Sequence, residues 1–272
     1  MRDRESINLA IVEFLGPLVL VFVGVGAIIQ TQGQQLLPIA LAHGLAIGLM
    51  ISAVGHITGG AFNPAVTLGL FVTGRLDAAR AVLYGIAQLL GGVVGAALLT
   101  LVYPDIGPIG RNTNGVNLGV PTLGPDISVG SGLLTEIILT FLLVFVIFGV
   151  AIDHRTGRVI SGLIIGLTIT MDILAGGAVS GAVMNPARAF GPALVQQDFA
   201  DHWVWWLGPA IGAIIAALLY HHVLLDDGAP STTRAAERDR VLPDASSGDD
   251  AEGAMPTAVV RSRSRRSQRR RR

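Results

Sequence analysis

Six apolar runs, residues 8–30, 36–55, 81–103, 131–152, 159–178 and 203–225, take up more than half of the first 225 of 272 residues. Each is long enough to cross a hydrocarbon core of about 30 Å as a helix. They are apolar throughout rather than striped, so neither a helical nor a strand period governs them. Such runs leave the chain few choices, because backbone groups in lipid must be hydrogen-bonded internally and only helices and closed barrels achieve that. The composition, 51% hydrophobic and 14% charged, agrees with an integral membrane protein. The first run carries Glu13 and lacks a small-residue cleavage site in a polar segment after it, so it is expected to stay as a span rather than act as a removable signal.

The two halves repeat. "EFLGPLVLVFVG" from Glu13 matches "EIILTFLLVFVIFG" from Glu136, "HGLAIGL" from His43 matches "SGLIIGL" from Ser161, and "GGAFNPAVTLGL" matches "GAVMNPARAFGPAL". Glu13 stands 50 residues before Asn63 and Glu136 stands 49 before Asn185, so similar blocks recur in one order at nearly one spacing. Each half holds three spans, an odd number, and the second must therefore enter the membrane from the opposite side. The expected fold is an all-α membrane protein with an inverted repeat, one half over about 8–103 and the other over about 131–225, and with its functional site at mid-membrane where the halves meet.

Each Asn-Pro lies in a further segment too short and too rich in glycine to span alone. Asn is a favoured N-cap and Pro suits the first helical position. Read once, the pair is ordinary helix punctuation. Present in both halves, it predicts two re-entrant half-helices that meet N-terminus to N-terminus, with the amides of Asn63 and Asn185 and two positive dipole ends at the centre. Irregular backbone at that depth must be buried or line a wet cavity. The small residues before each Asn, Gly59, Gly60 and Ala61 in one loop and Gly181, Ala182 and Val183 in the other, are therefore expected to turn carbonyls into a lumen. Arg188, in the first turn of the second half-helix, opposes both the helix dipole and the cost of charge in a membrane, which marks it as functional.

All 19 basic residues are Arg, and the formal net charge is zero. Eleven of them follow Leu225, in a polar tail over 226–272 that lacks the apolar residues for a core and is expected to be disordered and cytoplasmic. It could touch anionic lipid, and no nucleic-acid partner is expected. Arg2, Arg4, Arg75, Arg80, Arg155 and Arg158 fall in the connections on one side, whereas the other side holds Arg111 against Asp105, Asp126, Asp198 and Asp201. Both termini, with residues 1–7 at the first, are thus expected in the cytoplasm. There is no Cys, hence no disulfide, and no motif calls for a metal or cofactor.

These motifs, with "NPA" at Asn63, Pro64 and Ala65 and "NPAR" at Asn185, Pro186, Ala187 and Arg188, resemble those of the major intrinsic protein family, the aquaporins and their glycerol-conducting relatives. The resemblance covers residues 8–225. It implies a homotetramer in the plasma membrane, one pore per subunit, with the two Asn donating to a file of water. It also implies a narrow filter at His43, Ile173, Ala182 and Arg188, which is similar to that of plant tonoplast-type channels and departs from the Phe and His pattern of strict water channels. Ala189 stands where glycerol facilitators carry Asp, and Trp205 and Trp206 are closer to the water-channel pattern. Glu13, Glu136 and His56 are implied as supports of the two loops. Asp172, next to Ile173, should face away from the pore, since neighbours on a helix point about 100° apart. His154 and Arg155 are expected in a solvated turn.

The resulting expectation is a passive channel for water and small neutral solutes such as ammonia, hydrogen peroxide and glycerol, closed to protons and ions. A secondary transporter is the alternative, since inverted repeats build those too, with Glu13, Glu136 and Asp172 as its candidate ion-coupling carboxylates. An intramembrane enzyme lacks its nucleophile and metal motifs here. Because the repeat closes at about residue 225, deleting residues 230–272 should leave an inserted channel whose water permeability, read by stopped-flow vesicle shrinkage, matches the full chain. A truncated chain that inserts and conducts nothing would refute this.

Overall fold

Hydropathy locates the spans, and local capping sets where their helices begin. In the computed structural model, which describes residues 2–103, 106, 118–156 and 158–225, six helices are long and apolar enough to cross a membrane: Arg4–Gln30, Leu36–Thr58, Ala78–Val102, Val129–Ile152, Ser161–Ser180 and Val204–Leu224. No strand occurs among the described residues. The tail, Asp105 and Arg111 lie outside them. The third helix starts before its apolar run because the Asp77 side chain accepts the Arg80 N–H at 2.9 Å, and the fourth because Ser128 accepts that of Ser131 at 3.1 Å. Both are N-caps, which a hydropathy count does not register.

Two short helices, Pro64–Val72 and Pro186–Gln196, fill the positions of the expected half-helices. The packing repeats as the sequence does. The first span packs on the third as the fourth does on the sixth, the third span packs on the second half-helix as the sixth does on the first, and the second and fifth spans pack on each other. The two loop-entering glycines Gly59 and Gly181 end the second and fifth spans in the same left-handed conformation (φ 91° and 81°). Counted from them, Gly44 corresponds to Gly166, so the "GL" blocks of the two halves stand one helical turn away from the register that their sequences suggest.

The fold is apolar outside and polar inside. Leu49 is 65% exposed and Leu101 76%, while Glu13, Gln88 and Glu136 are wholly buried. Outward leucines of that exposure suit a lipid solvent, and inward polar groups must find partners. On the side of the termini, Asp153 accepts from Arg155 Nε at 2.9 Å and from the Tyr220 hydroxyl at 3.1 Å, and Arg155 Nη2 donates to the Leu224 carbonyl at 2.8 Å. The turn after the fourth span is thereby tied to the end of the sixth, a structural role that the expected solvated turn did not include. The Arg155 guanidinium holds the Asp153 carboxyl below the usual carboxylate range, so this tie is complete at neutral pH and weakens only as pH falls through that lowered value.

The second and fifth spans meet through glycine. A Cβ on Gly44 would collide with the Gly166 carbonyl, and one on Gly166 with the Gly44 carbonyl. Gly44→Ala or Gly166→Ala should each destabilise the folded chain by about 1–3 kcal/mol through overpacking. Gly85→Ala, where a Cβ meets nothing within 4 Å, should not. Thermal unfolding in detergent separates the cases, and equal midpoints for all three variants would contradict the close approach.

Candidate functional site

Each half-helix is capped by its own Asn. Asn63 Oδ1 accepts the Ala65 N–H at 2.8 Å, and Asn185 Oδ1 accepts those of Ala187 at 3.0 Å and Arg188 at 3.4 Å. The amide nitrogens reach across the repeat: Asn63 Nδ2 donates to the Met184 carbonyl at 2.9 Å, and Asn185 Nδ2 to the Phe62 carbonyl at 3.0 Å. Each loop thus accepts from the other's Asn at the residue just before its own. An amide has two N–H donors, so each Asn keeps one further N–H for the cavity that both line.

The loops are held from behind by carboxylates. Glu13 accepts the N–H groups of Ala61 at 3.2 Å and Phe62 at 2.8 Å, while Glu136 accepts those of Val183 at 2.8 Å and Met184 at 2.7 Å. With their N–H groups drawn to the wall, these peptides turn carbonyls the other way. The geometry requires left-handed backbone at Phe62, Ala182 and Met184 (φ 48°, 47° and 54°), which costs about 1–2 kcal/mol at each such non-glycine residue. The carboxylate bonds offset that strain. Gln88 Nε2 adds a third donor to Glu13 at 2.8 Å, and the Ser180 hydroxyl a third to Glu136 at 2.7 Å.

A cavity of about 260 Å³ runs past these loops. Gly59, Gly60, Ala61 and Phe62 line it from one loop and Ala182, Val183 and Met184 from the other. Gly181 does not line it, although its counterpart Gly59 does, and Phe62 and Met184 extend the lining towards the Asn pair. Asn63 and Asn185 line it too, whereas Pro64, Ala65, Pro186 and Ala187 stand behind as the first residues of the half-helices. The rest of the lining is largely aliphatic, with Leu20, Ile47, Leu143, Ile165 and Ile169.

His43, Ile173, Ala182 and Arg188, drawn from three elements and one loop, line this cavity together, each at most 4% exposed. His43 Nδ1 lies 2.8 Å from the Ile39 carbonyl. A carbonyl only accepts, so Nδ1 carries the hydrogen and a neutral ring offers Nε2 as an acceptor. Gly24 gives the ring its room, since a Cβ there would lie 2.5 Å from Nε2. Arg188 Nη1 donates to the Gly119 carbonyl at 2.7 Å, a partner the sequence did not announce. Gly119 has φ 61°, and a Cβ on it would lie 2.8 Å from Val25, so glycine suits this position on both counts. Arg75 stands at the far end of the same cavity, its guanidinium 5.9 Å from the centre of the Phe148 ring.

Two expectations change. His56 is exposed, and no hydrogen bond joins it to a loop among the described residues. Thr58 does that work, its hydroxyl accepting the Gly60 N–H at 3.0 Å and its carbonyl the Tyr84 hydroxyl at 3.1 Å. A residue two places along a helix points to a different side, and hydropathy cannot choose between them. Trp205, read in sequence only as a family-like pattern, anchors the second loop by donating from Nε1 to the Ser180 carbonyl at 2.9 Å.

Six spans around two half-helices that meet end to end, with one cavity passing both, define a membrane channel. The chain belongs to the major intrinsic protein family, whose profile matches residues 1–220. It is 41% identical over 238 residues to the probable aquaporin TIP3-2 of Arabidopsis thaliana, covering 81% of this chain and 85% of that one. It is 42% identical over 233 residues to the lens fiber major intrinsic protein of Bos taurus, covering 85% and 84%. The aquaglyceroporin of Plasmodium falciparum superposes with a TM-score of 0.73 at 26% identity, over 80% of this chain and 97% of that one.

The bracing of the second loop is testable. Glu136→Gln keeps the volume but sets an amide N–H against a backbone N–H, and should cost about 1.5–3 kcal/mol, the scale of one hydrogen bond to a charged group. The thermal midpoint in detergent should fall accordingly. An unchanged midpoint would mean that the carboxylate does not hold the loop.

Proposed function

We propose that this chain is a passive channel that conducts water fastest, admits small neutral solutes more slowly, and excludes protons and ions. The observation that carries the reading is the reciprocal pair of Asn63 and Asn185 on a cavity lined by both loops and by aliphatic side chains. A molecule that both donates and accepts finds partners along one side and nothing to detain it on the other. A cation meets two helix N-termini, each equivalent to about half a positive charge, and the Arg188 guanidinium. His43, Ile173, Ala182 and Arg188 are proposed as the filter: one donor, one acceptor, one apolar wall and one small residue. His43 is the acceptor, because its Nδ1 hydrogen is taken by the Ile39 carbonyl.

The aquaporin relatives and the aquaglyceroporin support water and small solutes as cargo. A homotetramer, a plasma-membrane location and the absence of enzymatic activity belong to the same proposal, and the Arg residues in the connections on one side support cytoplasmic termini. The cross-bonded loops favour a channel over a transporter, because alternating access would have to break both Asn bonds in every cycle. Arg188→Val in proteoliposomes should raise solute or proton leak while sparing water, and Ala182→Phe should cut solute flow more than water flow. Stopped-flow shrinkage and a pH-sensitive dye read both. Wild-type vesicles that pass protons as readily as water, or selectivity ratios unmoved by Arg188→Val, would overturn the filter assignment.

A further inference from the structure

Asp172 is wholly buried (0% exposed), and neither of its carboxyl oxygens has a hydrogen-bond partner among the described residues. The other buried carboxyls, Glu13, Glu136 and Asp153, are each hydrogen-bonded several times over. Thr140, on the fourth span, is also 0% exposed with its Oγ1 unpartnered. Neither residue lines the conduction cavity.

The packing brings the two to one level. A Cβ on Gly176, one turn after Asp172 on the same face, would lie 3.0 Å from Thr135 and 2.5 Å from Leu139, so this face of the fifth span rests on the fourth. The two spans run antiparallel, so Asp172, one turn back from Gly176, stands at the level of the turn that follows Leu139, which Thr140 opens. The inverted repeat gives a second, independent observation. Counted from Glu13 and Glu136, Thr140 corresponds to Pro17, and counted from Gly59 and Gly181, Asp172 corresponds to Met50. The first half is apolar at both places and the second half is polar at both, so the two polar groups enter together.

We infer that Asp172 and Thr140 form an internal water-binding site in the wall between the fourth and fifth spans, with Asp172 as a carboxylic acid that donates to the bound water and Thr140 as its partner across the interface. A lone carboxylate at this depth is far costlier than its neutral acid. The remaining polar atoms, too far apart for a direct bond, suit a water, which when buried makes about three hydrogen bonds to groups of this kind. Two carboxyl oxygens and one hydroxyl are too few to replace the shell of a cation. The site ties the span that carries Ile173 to the span that carries Glu136, and so links the aliphatic side of the filter to the brace of the second loop.

Infrared difference spectroscopy on the reconstituted full-length protein tests this. The carboxylic-acid carbonyl stretch should be lost in Asp172→Asn, while Thr140→Val, which removes only the hydroxyl, should keep the band and shift it to the higher frequency of a less hydrogen-bonded acid. No band lost in Asp172→Asn would overturn the acid, and an unshifted band in Thr140→Val would overturn the shared water. If Asp172→Asn does not fold, wild-type protein still decides. A density map fine enough to show ordered water should place one within hydrogen-bond distance of both side chains, and continuous apolar packing there would overturn the site.

Discussion

The exchange of hydrogen bonds between Asn63 and the Met184 carbonyl, and between Asn185 and the Phe62 carbonyl, is what the rest of the molecule is arranged around. Each bond ends on a residue with a left-handed backbone, and each such residue donates its N–H to a buried carboxylate. Glu13 and Glu136 therefore do more than satisfy stray donors. By fixing the N–H groups of Phe62 and Met184 at 2.8 and 2.7 Å, they hold in place the left-handed residues whose carbonyls the opposite Asn needs. Remove a carboxylate and one loop loses its direction, and with it the other half-helix loses a contact at its cap.

This arrangement also resolves a conflict built into any membrane pore. Unsatisfied backbone at mid-membrane costs several kcal/mol per group, yet a wet path needs polar groups that are free to bind passing molecules. Here the N–H groups of Ala61, Phe62, Val183 and Met184 are taken by Glu13 and Glu136, and each Asn keeps one amide N–H beyond its bond to the opposite loop. Arg188 is the most exposed to this conflict, being charged and buried. It is tolerated because the Gly119 carbonyl takes one of its N–H groups at 2.7 Å, leaving others for the lumen.

Much of this was legible in the sequence because it rests on period and repetition. The six spans followed from run length, and the half-helices from two Asn-Pro pairs that would each have meant little alone. Contacts that join residues far apart without any repeated signal were not legible. Nothing near Arg188 in the chain points to Gly119, which lies 69 residues away. Trp205 reads as one more aromatic until its indole is seen to hold Ser180. The resemblance implies His56 as a loop support, but helix geometry turns it outward and hands the role to Thr58. For Asp172, helix geometry predicts only that it faces away from the pore, and its setting against the fourth span comes from packing. The equivalence of the second and fifth spans slipped by one turn for a related reason: small residues repeat often enough to match in more than one register.

Locked half-helices of this kind leave a permanently open, wet path through the protein. Stopped-flow light scattering on proteoliposomes tests it most directly, by following osmotic shrinkage with and without the protein, in the presence and absence of sodium and proton gradients. Shrinkage should be much faster than in protein-free vesicles and proceed at the same rate whatever the gradient. Shrinkage no faster than in bare lipid, or a rate that follows an ion gradient, would contradict it.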